Sequence, residues 1–208
     1  MTFENYNLLF CNGDPPRRER LVRLVPHPAS VVCADGGAQK AIICGYEPDL
    51  IVGDLDSLDS SGNHLASAEI VRIANQDNTD MEKTLDVMLE RGMNNIVVAA
   101  FSGGRIDQTL ANIQIGFEYS RKCRIVLADD GYLIFPVTDS FVGSFPTGNT
   151  ISILPMNDDT EVSSDGLLYE LDGGLMQKGG HGVSNRINRE NFSISVHRGG
   201  ILVMIKDS

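Results

Sequence analysis

The chain has 208 residues, of which 42% are hydrophobic and 22% charged. These proportions suit one large or two small folded domains and exclude disordered and collagen-like chains. The net charge of −11 argues against a nucleic-acid partner, which would call for a basic face. No apolar run approaches the ~20 residues of a membrane span. The first residues lack the basic stretch ahead of an apolar one that marks a secretory signal, so a cytoplasmic protein with no membrane partner is expected.

In chain order, the first two-thirds alternate short apolar runs with amphipathic stretches. Strands are expected over Asn7–Cys11, Ser30–Ala34, Leu50–Val52, Ile70–Ile73, Asn95–Phe101 and Arg124–Ala128. Several are unbroken Val/Ile/Leu runs, the pattern of parallel strands buried on both faces. The clearest helix is Thr79–Arg91. Its Thr79-Asp-Met-Glu82 opening has capping-box spacing, with Thr79 as N-cap and Glu82 reaching back. Met81, Leu85, Met88 and Leu89 form one apolar stripe, and Gly92 supplies a stop. A second helix is expected over Ile106–Tyr119, with Ile106, Leu110, Ile113 and Phe117 on one face. Strand–helix alternation implies an α/β layered fold with a parallel sheet.

Near Gly131 the pattern changes to short strands and turn residues with no helix. Strands are expected over Tyr132–Val137, Thr150–Leu154, Leu167–Glu170, Phe192–His197 and Ile201–Lys206. Turns are marked by Pro146-Thr-Gly148, Asp172-Gly-Gly174, Gly179-Gly180 and Arg198-Gly-Gly200. This reads as a smaller antiparallel β domain, with the boundary between Asp129 and Ser140. The cysteines, Cys11, Cys33, Cys44 and Cys123, form no Cys-x-x-Cys pair and lie near no His at zinc spacing. They read as buried free thiols.

Four segments carry chemistry. Ala34-Asp35-Gly36-Gly37-Ala38 follows a strand, and its glycines let backbone N–H groups approach an anion at a helix N-terminus. Its plainer reading is a strand-to-helix turn. In Val52-Gly53-Asp54-Leu55-Asp56-Ser57, two carboxylates at i and i+2 offer hard oxygens to Mg²⁺. From Ala41 to Val71 there is no Lys or Arg to offset them. Gln76-Asp77-Asn78-Thr79-Asp80 enters the clearest helix, where an acid in the first turn is also what the helix dipole favours. Ser102-Gly103-Gly104-Arg105-Ile106-Asp107-Gln108 combines a glycine cradle with an Arg able to hold phosphate oxygens bidentately. Asp107 could orient Arg105, bind metal or accept a ligand hydroxyl. No Walker A sequence, G-x-G-x-x-G or G-x-S-x-G is present. The inventory suits phosphoryl-type transfer, which needs positioning and charge neutralisation more than covalent chemistry.

These segments, in this order, resemble thiamine pyrophosphokinases, as do Lys178-Gly-Gly-His-Gly-Val-Ser184-Asn185 and the closing Gly199-Gly-Ile-Leu-Val. The resemblance covers nearly the whole chain. It implies a Rossmann-like α/β domain over residues 1–135 that binds ATP and Mg²⁺, and a smaller antiparallel β-sandwich domain over 136–208 that binds thiamine. It implies a homodimer with active sites formed between subunits. The reaction it implies is ATP plus thiamine giving AMP plus thiamine diphosphate. By position, Asp54, Asp56 and Asp80 would hold Mg²⁺ and the triphosphate, and Arg105 and Asp107 would serve the nucleotide and catalytic site. Asp35, Gly36, Gln76, Asp77, Thr79, Gly103 and Gly104 would lie near ATP and substrate. Ser184 and Asn185 would contact thiamine. Asp80 and Asp107 are the two candidates for accepting the hydroxyl proton. Gln108 stands where many relatives have His, and the chain has no Trp, which some relatives place against thiamine. The alternative is another Mg²⁺-dependent enzyme on this scaffold, a nucleotide hydrolase or a pyrophosphokinase for a different acceptor. A non-catalytic binder would not need the acidic pair together with Arg105.

Overall fold

A computed structural model describes residues 2–54, 67–73 and 77–206. It divides into two compact units, Met1–Asp130 and Gly131–Ser208.

The first unit is built on strands β1 (Asn7–Phe10), β2 (Val31–Ala34), β3 (Leu50–Gly53), β4 (Glu69–Arg72), β5 (Asn95–Ala99) and β6 (Arg124–Ala128). They lie parallel in the order β6-β5-β1-β2-β3-β4. Every residue of β1, β2 and β3 is buried, as their unbroken apolar runs require when helices cover both faces. The helices are α1 (Arg18–Leu24), α2 (Gly37–Ile43), α3 (Asp80–Glu90) and α4 (Ile106–Tyr119). The chain runs outward from β1 to β4 and returns to β5 on the other side of β1. The β1/β5 boundary is therefore a topological switch point, where open α/β sheets bind ligands.

Helix α3 opens as its sequence demands. Thr79 Oγ1 accepts the Glu82 N–H at 3.2 Å, and Glu82 Oε2 accepts the Thr79 N–H at 2.8 Å. Met81, Leu85 and Met88 are buried, and Gly92 takes the left-handed conformation, φ +76°, just past the end. Helix α4 departs from its expected stripe. Phe117 is buried, but Ile106 is 73% and Leu110 56% exposed. Only the C-terminal half of α4 is pressed to the sheet, where Gly116 abuts the Leu127 side chain. Apolar periodicity gives the buried azimuth of a helix but not how far along it burial extends.

The second unit contains two antiparallel sheets. Strands β7 (Tyr132–Val137), β8 (Ser140–Ser144), β9 (Thr150–Pro155), β10 (Glu161–Asp165), β11 (Asp172–Leu175), β12 (Asn185–Arg186), β13 (Asn191–Arg198) and β14 (Ile201–Lys206) supply them. One runs β12-β9-β14-β7 and the other β11-β10-β13-β8. Phe135 on β7 meets Phe141 on β8 at 4.9 Å between ring centroids, so apolar faces of the two sheets share a core. Two expectations fail here. Leu167–Glu170 is not a strand: the Glu170 carboxylate accepts the N–H groups of Gly166 and Leu167 and closes a tight loop. Leu167 makes only an isolated bridge to Ile187. Conversely, Asp172-Gly-Gly174 is not a turn but part of β11, which pairs irregularly with β10.

Candidate active site

Loops at the C-terminal ends of β1, β2 and β5 are locked together. The Gly13 N–H donates to the Ala100 carbonyl and the Asp14 N–H to the Ser102 carbonyl, each at 2.7 Å. A side chain on Gly13 would strike Ser102, one on Gly103 would strike the Asp14 carboxylate, and one on Gly36 would strike Asn12. Asp35 (φ +43°) and Ala100 (φ +54°) hold left-handed backbone without being glycine. Such strain persists where surrounding structure enforces it, commonly at functional sites. Asp35 is buried, and its Oδ1 has no hydrogen-bond partner among the described residues. It packs against Gly53, whose neighbour Asp54 is exposed at the end of β3.

Above the ends of β1 and β2 lies a cleft of about 260 Å³, lined by Cys11, Asn12, Thr79, Asp80, Gln108 and Asn112 among others. Burial, reinforced by the Asp80 charge, pushes the Cys11 thiol up to about 12, so it lines the cleft as a neutral group. Asp80 is fixed from two sides. Lys83 Nζ donates to its Oδ1 at 3.1 Å, and Thr84 Oγ1 donates to its backbone carbonyl at 2.6 Å. Lys83 is only 8% exposed. A buried ammonium needs an anionic partner, and Asp80 is that partner.

At the start of α4, Arg105 grips Asp107 bidentately, Nε to Oδ1 at 3.1 Å and Nη2 to Oδ2 at 2.5 Å. Both side chains are exposed, 68% and 62%. The guanidinium hydrogen bond, helped by backbone N–H groups, holds the Asp107 carboxyl below the usual range. The pair follows Gly103 and Gly104, both at positive φ.

The structure thus brings Thr79 and Asp80 to the cleft, with Gly36 adjoining it through Asn12, while Gly103 lies against Asp14. Arg105 and Asp107 are joined to each other, and Asp77 is exposed ahead of Thr79. Asp56 and Gln76 lie outside the described residues. Among the described residues no three His, Cys, Asp or Glu side chains converge as a metal cluster.

Ser184 and Asn185 are in the second unit. Asn185 lines a separate cavity of about 200 Å³, together with Tyr169, His181 and Val183. Its buried amide clamps the Tyr169 backbone, donating to the carbonyl at 2.7 Å and accepting the N–H at 3.1 Å. Tyr169 itself is 68% exposed. Asn185 therefore acts first on Tyr169. Ser184 takes φ +59° and donates its N–H to Ser152 Oγ at 3.0 Å.

Sequence reasoning missed Asn12, Asp14, Lys83, Asn112 and Tyr169. Asn12-Gly13-Asp14 directly after a buried strand carried a turn signal that could have drawn attention. A lysine on an amphipathic helix carries no signal that it will be buried.

Comparison with known proteins shows what the chain as a whole is similar to. The family model "Thiamin pyrophosphokinase, catalytic domain" matches residues 21–127, and "Thiamin pyrophosphokinase, vitamin B1 binding domain" matches residues 140–201. Thiamine pyrophosphokinase 1 of Oryza sativa subsp. japonica is 30% identical, over 79% of this chain and 74% of that protein. Thiamine pyrophosphokinase of Bacillus subtilis is 27% identical, over 84% of this chain and 85% of its own length. The crystal structure of thiamine pyrophosphokinase from Bacillus subtilis superposes with a TM-score of 0.83 at 19% identity, covering 97% of this chain and 99% of that one. That of a probable thiamine pyrophosphokinase from Staphylococcus saprophyticus gives 0.72 at 26% identity, with both chains fully covered. With one family model spanning just over half of it and a second following in order, the chain belongs to the thiamin pyrophosphokinase family.

Proposed function

We propose that the cleft of the first unit is where this enzyme transfers the pyrophosphoryl group of ATP to the hydroxyl of thiamine. The observation that carries the reading is the meeting at one cleft of Asp80, fixed by the buried Lys83, with Asn12 after β1 and with Gln108 and Asn112 on the helix that Arg105 opens. ATP and thiamine are the substrates, and AMP and thiamine diphosphate the products. The hydroxyl oxygen bonds to the β-phosphorus as the bond from that phosphorus to the α–β bridging oxygen breaks. AMP departs with that oxygen, and the hydroxyl proton passes to a carboxylate, Asp80 or Asp107.

Arg105 exchanges its grip on Asp107 for phosphate oxygens, which its exposure permits. Its charge then meets the negative charge that develops in transfer. Asp54, Asp56 and Asp80 would hold Mg²⁺. The donor chemistry fits: carboxylates are hard oxygen ligands, Lys83 engages Oδ1 of Asp80, and Oδ1 of Asp35, which has no partner among the described residues, lies against Gly53 beside Asp54. Bound Mg²⁺ supplies charge neutralisation on the phosphate oxygens. Thiamine recognition falls to the second unit. Tyr169, its backbone held by Asn185, offers an exposed ring face to a cationic heterocycle, with Ser184 next to Asn185 in the chain. Exposed Ile106 and Leu110 beside Arg105, and Leu168, Leu175 and Val183 in the second unit, support assembly as a homodimer. Four free cysteines suit the reducing cytoplasm. Among the described residues no helix is long and apolar enough to cross a membrane.

The test is AMP release from ATP and Mg²⁺ with and without thiamine, with thiamine diphosphate followed by chromatography. Equal, thiamine-dependent amounts of both products are expected. AMP formed equally without thiamine would replace the reading with nucleotide hydrolysis.

A further inference from the structure

Three successive carbonyls of the loop between β5 and α4 are tied down. Those of Ala100 and Ser102 accept backbone N–H groups of Gly13 and Asp14, each at 2.7 Å. The middle one, Phe101, accepts from a side chain, Asn112 Nδ2 at 2.8 Å. Asn112 lies one helical turn past Gln108, and both line the cleft. Asn is a poor residue for a helix interior because its amide competes for backbone groups. Here the amide reaches across to the loop instead.

That bond sets the Phe101–Ser102 peptide plane from which Gly103 (φ +95°) and Gly104 (φ +64°) lead to Arg105. Glycines restrain the backbone little, so the path to Arg105 is fixed mainly by what holds the residues before them. We propose that Asn112 is a positioning residue for pyrophosphoryl transfer, holding the loop so that Arg105 meets the phosphate chain in register. The proposal rests on the reading of Arg105 as the residue that stabilises the transferring group.

The experiment is a double-mutant cycle on the full chain, reading kcat and KM from AMP and thiamine diphosphate. Arg105→Ala is expected to lower kcat about 100-fold. Asn112→Ala should lower it about tenfold, with KM for ATP within about threefold of wild type, because the loss is one of transition-state geometry. Adding Asn112→Ala to Arg105→Ala should cost less than about a further twofold, since the two act as one unit. Asn112→Leu is close in size and shape, removes the donor without adding a charge and should match Asn112→Ala; it decides the matter if the alanine variant does not fold. Wild-type turnover in the Asn112 variants, or a full tenfold loss on top of Arg105→Ala, would overturn the proposal. Wild-type turnover in Arg105→Ala would overturn the reading beneath it as well.

Discussion

Helices α3 and α4 both bring their N-terminal turns to the cleft, and both begin with acidic residues, yet the two ends are built differently. At α3 the end is closed by the protein's own groups: Thr79 and Glu82 satisfy each other's N–H, and Asp80 is held by a lysine that is only 8% exposed. At α4 no side chain caps the N-terminal residue, two glycines precede it, and the Arg105–Asp107 pair stands in solvent. The first arrangement fixes a carboxylate before any ligand arrives. The second leaves a guanidinium that can change partners at little cost, since solvent screens an exposed ion pair. A site for phosphoryl-type transfer uses both, a preset anion and a cation able to follow the moving charge.

The comparison can be broken at each end. Aside from loss of the Asp80 charge itself, the largest effect is expected from Arg105→Lys, which keeps the charge but loses the fork. Turnover should fall roughly 30- to 100-fold, and a variant near wild type in steady-state kcat would mean that charge alone suffices. Lys83→Met should lower kcat about tenfold, the scale seen when an outer partner of a ligand is removed. Its far-ultraviolet circular dichroism should stay that of the wild type. Unchanged kcat there would reduce Lys83 to a packing residue. The smallest effect on chemistry is expected from Thr79→Ala. Urea unfolding should show a loss of about 1 kcal/mol for the missing cap, with turnover within about twofold. A collapse of turnover without loss of stability would show that Thr79 touches substrate rather than capping the helix.

Much of this was legible in the sequence where local chemistry and tertiary environment agree. The α3 capping box, the buried runs of β1 to β3 and the glycine loops follow from residue type and spacing. What stayed hidden depends on distance in space. Lys83 looks like any solvated lysine until α3 packs on β2 and β3. Asn112 reaches a carbonyl 11 residues away. The exposure of Ile106 and Leu110 depends on which half of α4 meets the sheet. Glu170 turns a strand-like run into a loop by capturing two backbone N–H groups, a choice that alternation cannot reveal. At Thr79-Asp80 the cap and the cleft share one turn, for Thr79 closes the helix while Asp80, one residue on, faces the cleft.

The most direct measurement is the rate of matched AMP and thiamine diphosphate formation by Asp80→Asn. Asparagine keeps an oxygen for Lys83 but removes the charge from the cleft. A fall of at least about 100-fold with an unchanged circular dichroism spectrum is predicted. Transfer near the wild-type rate in the folded variant would contradict the placement of the reaction at this cleft.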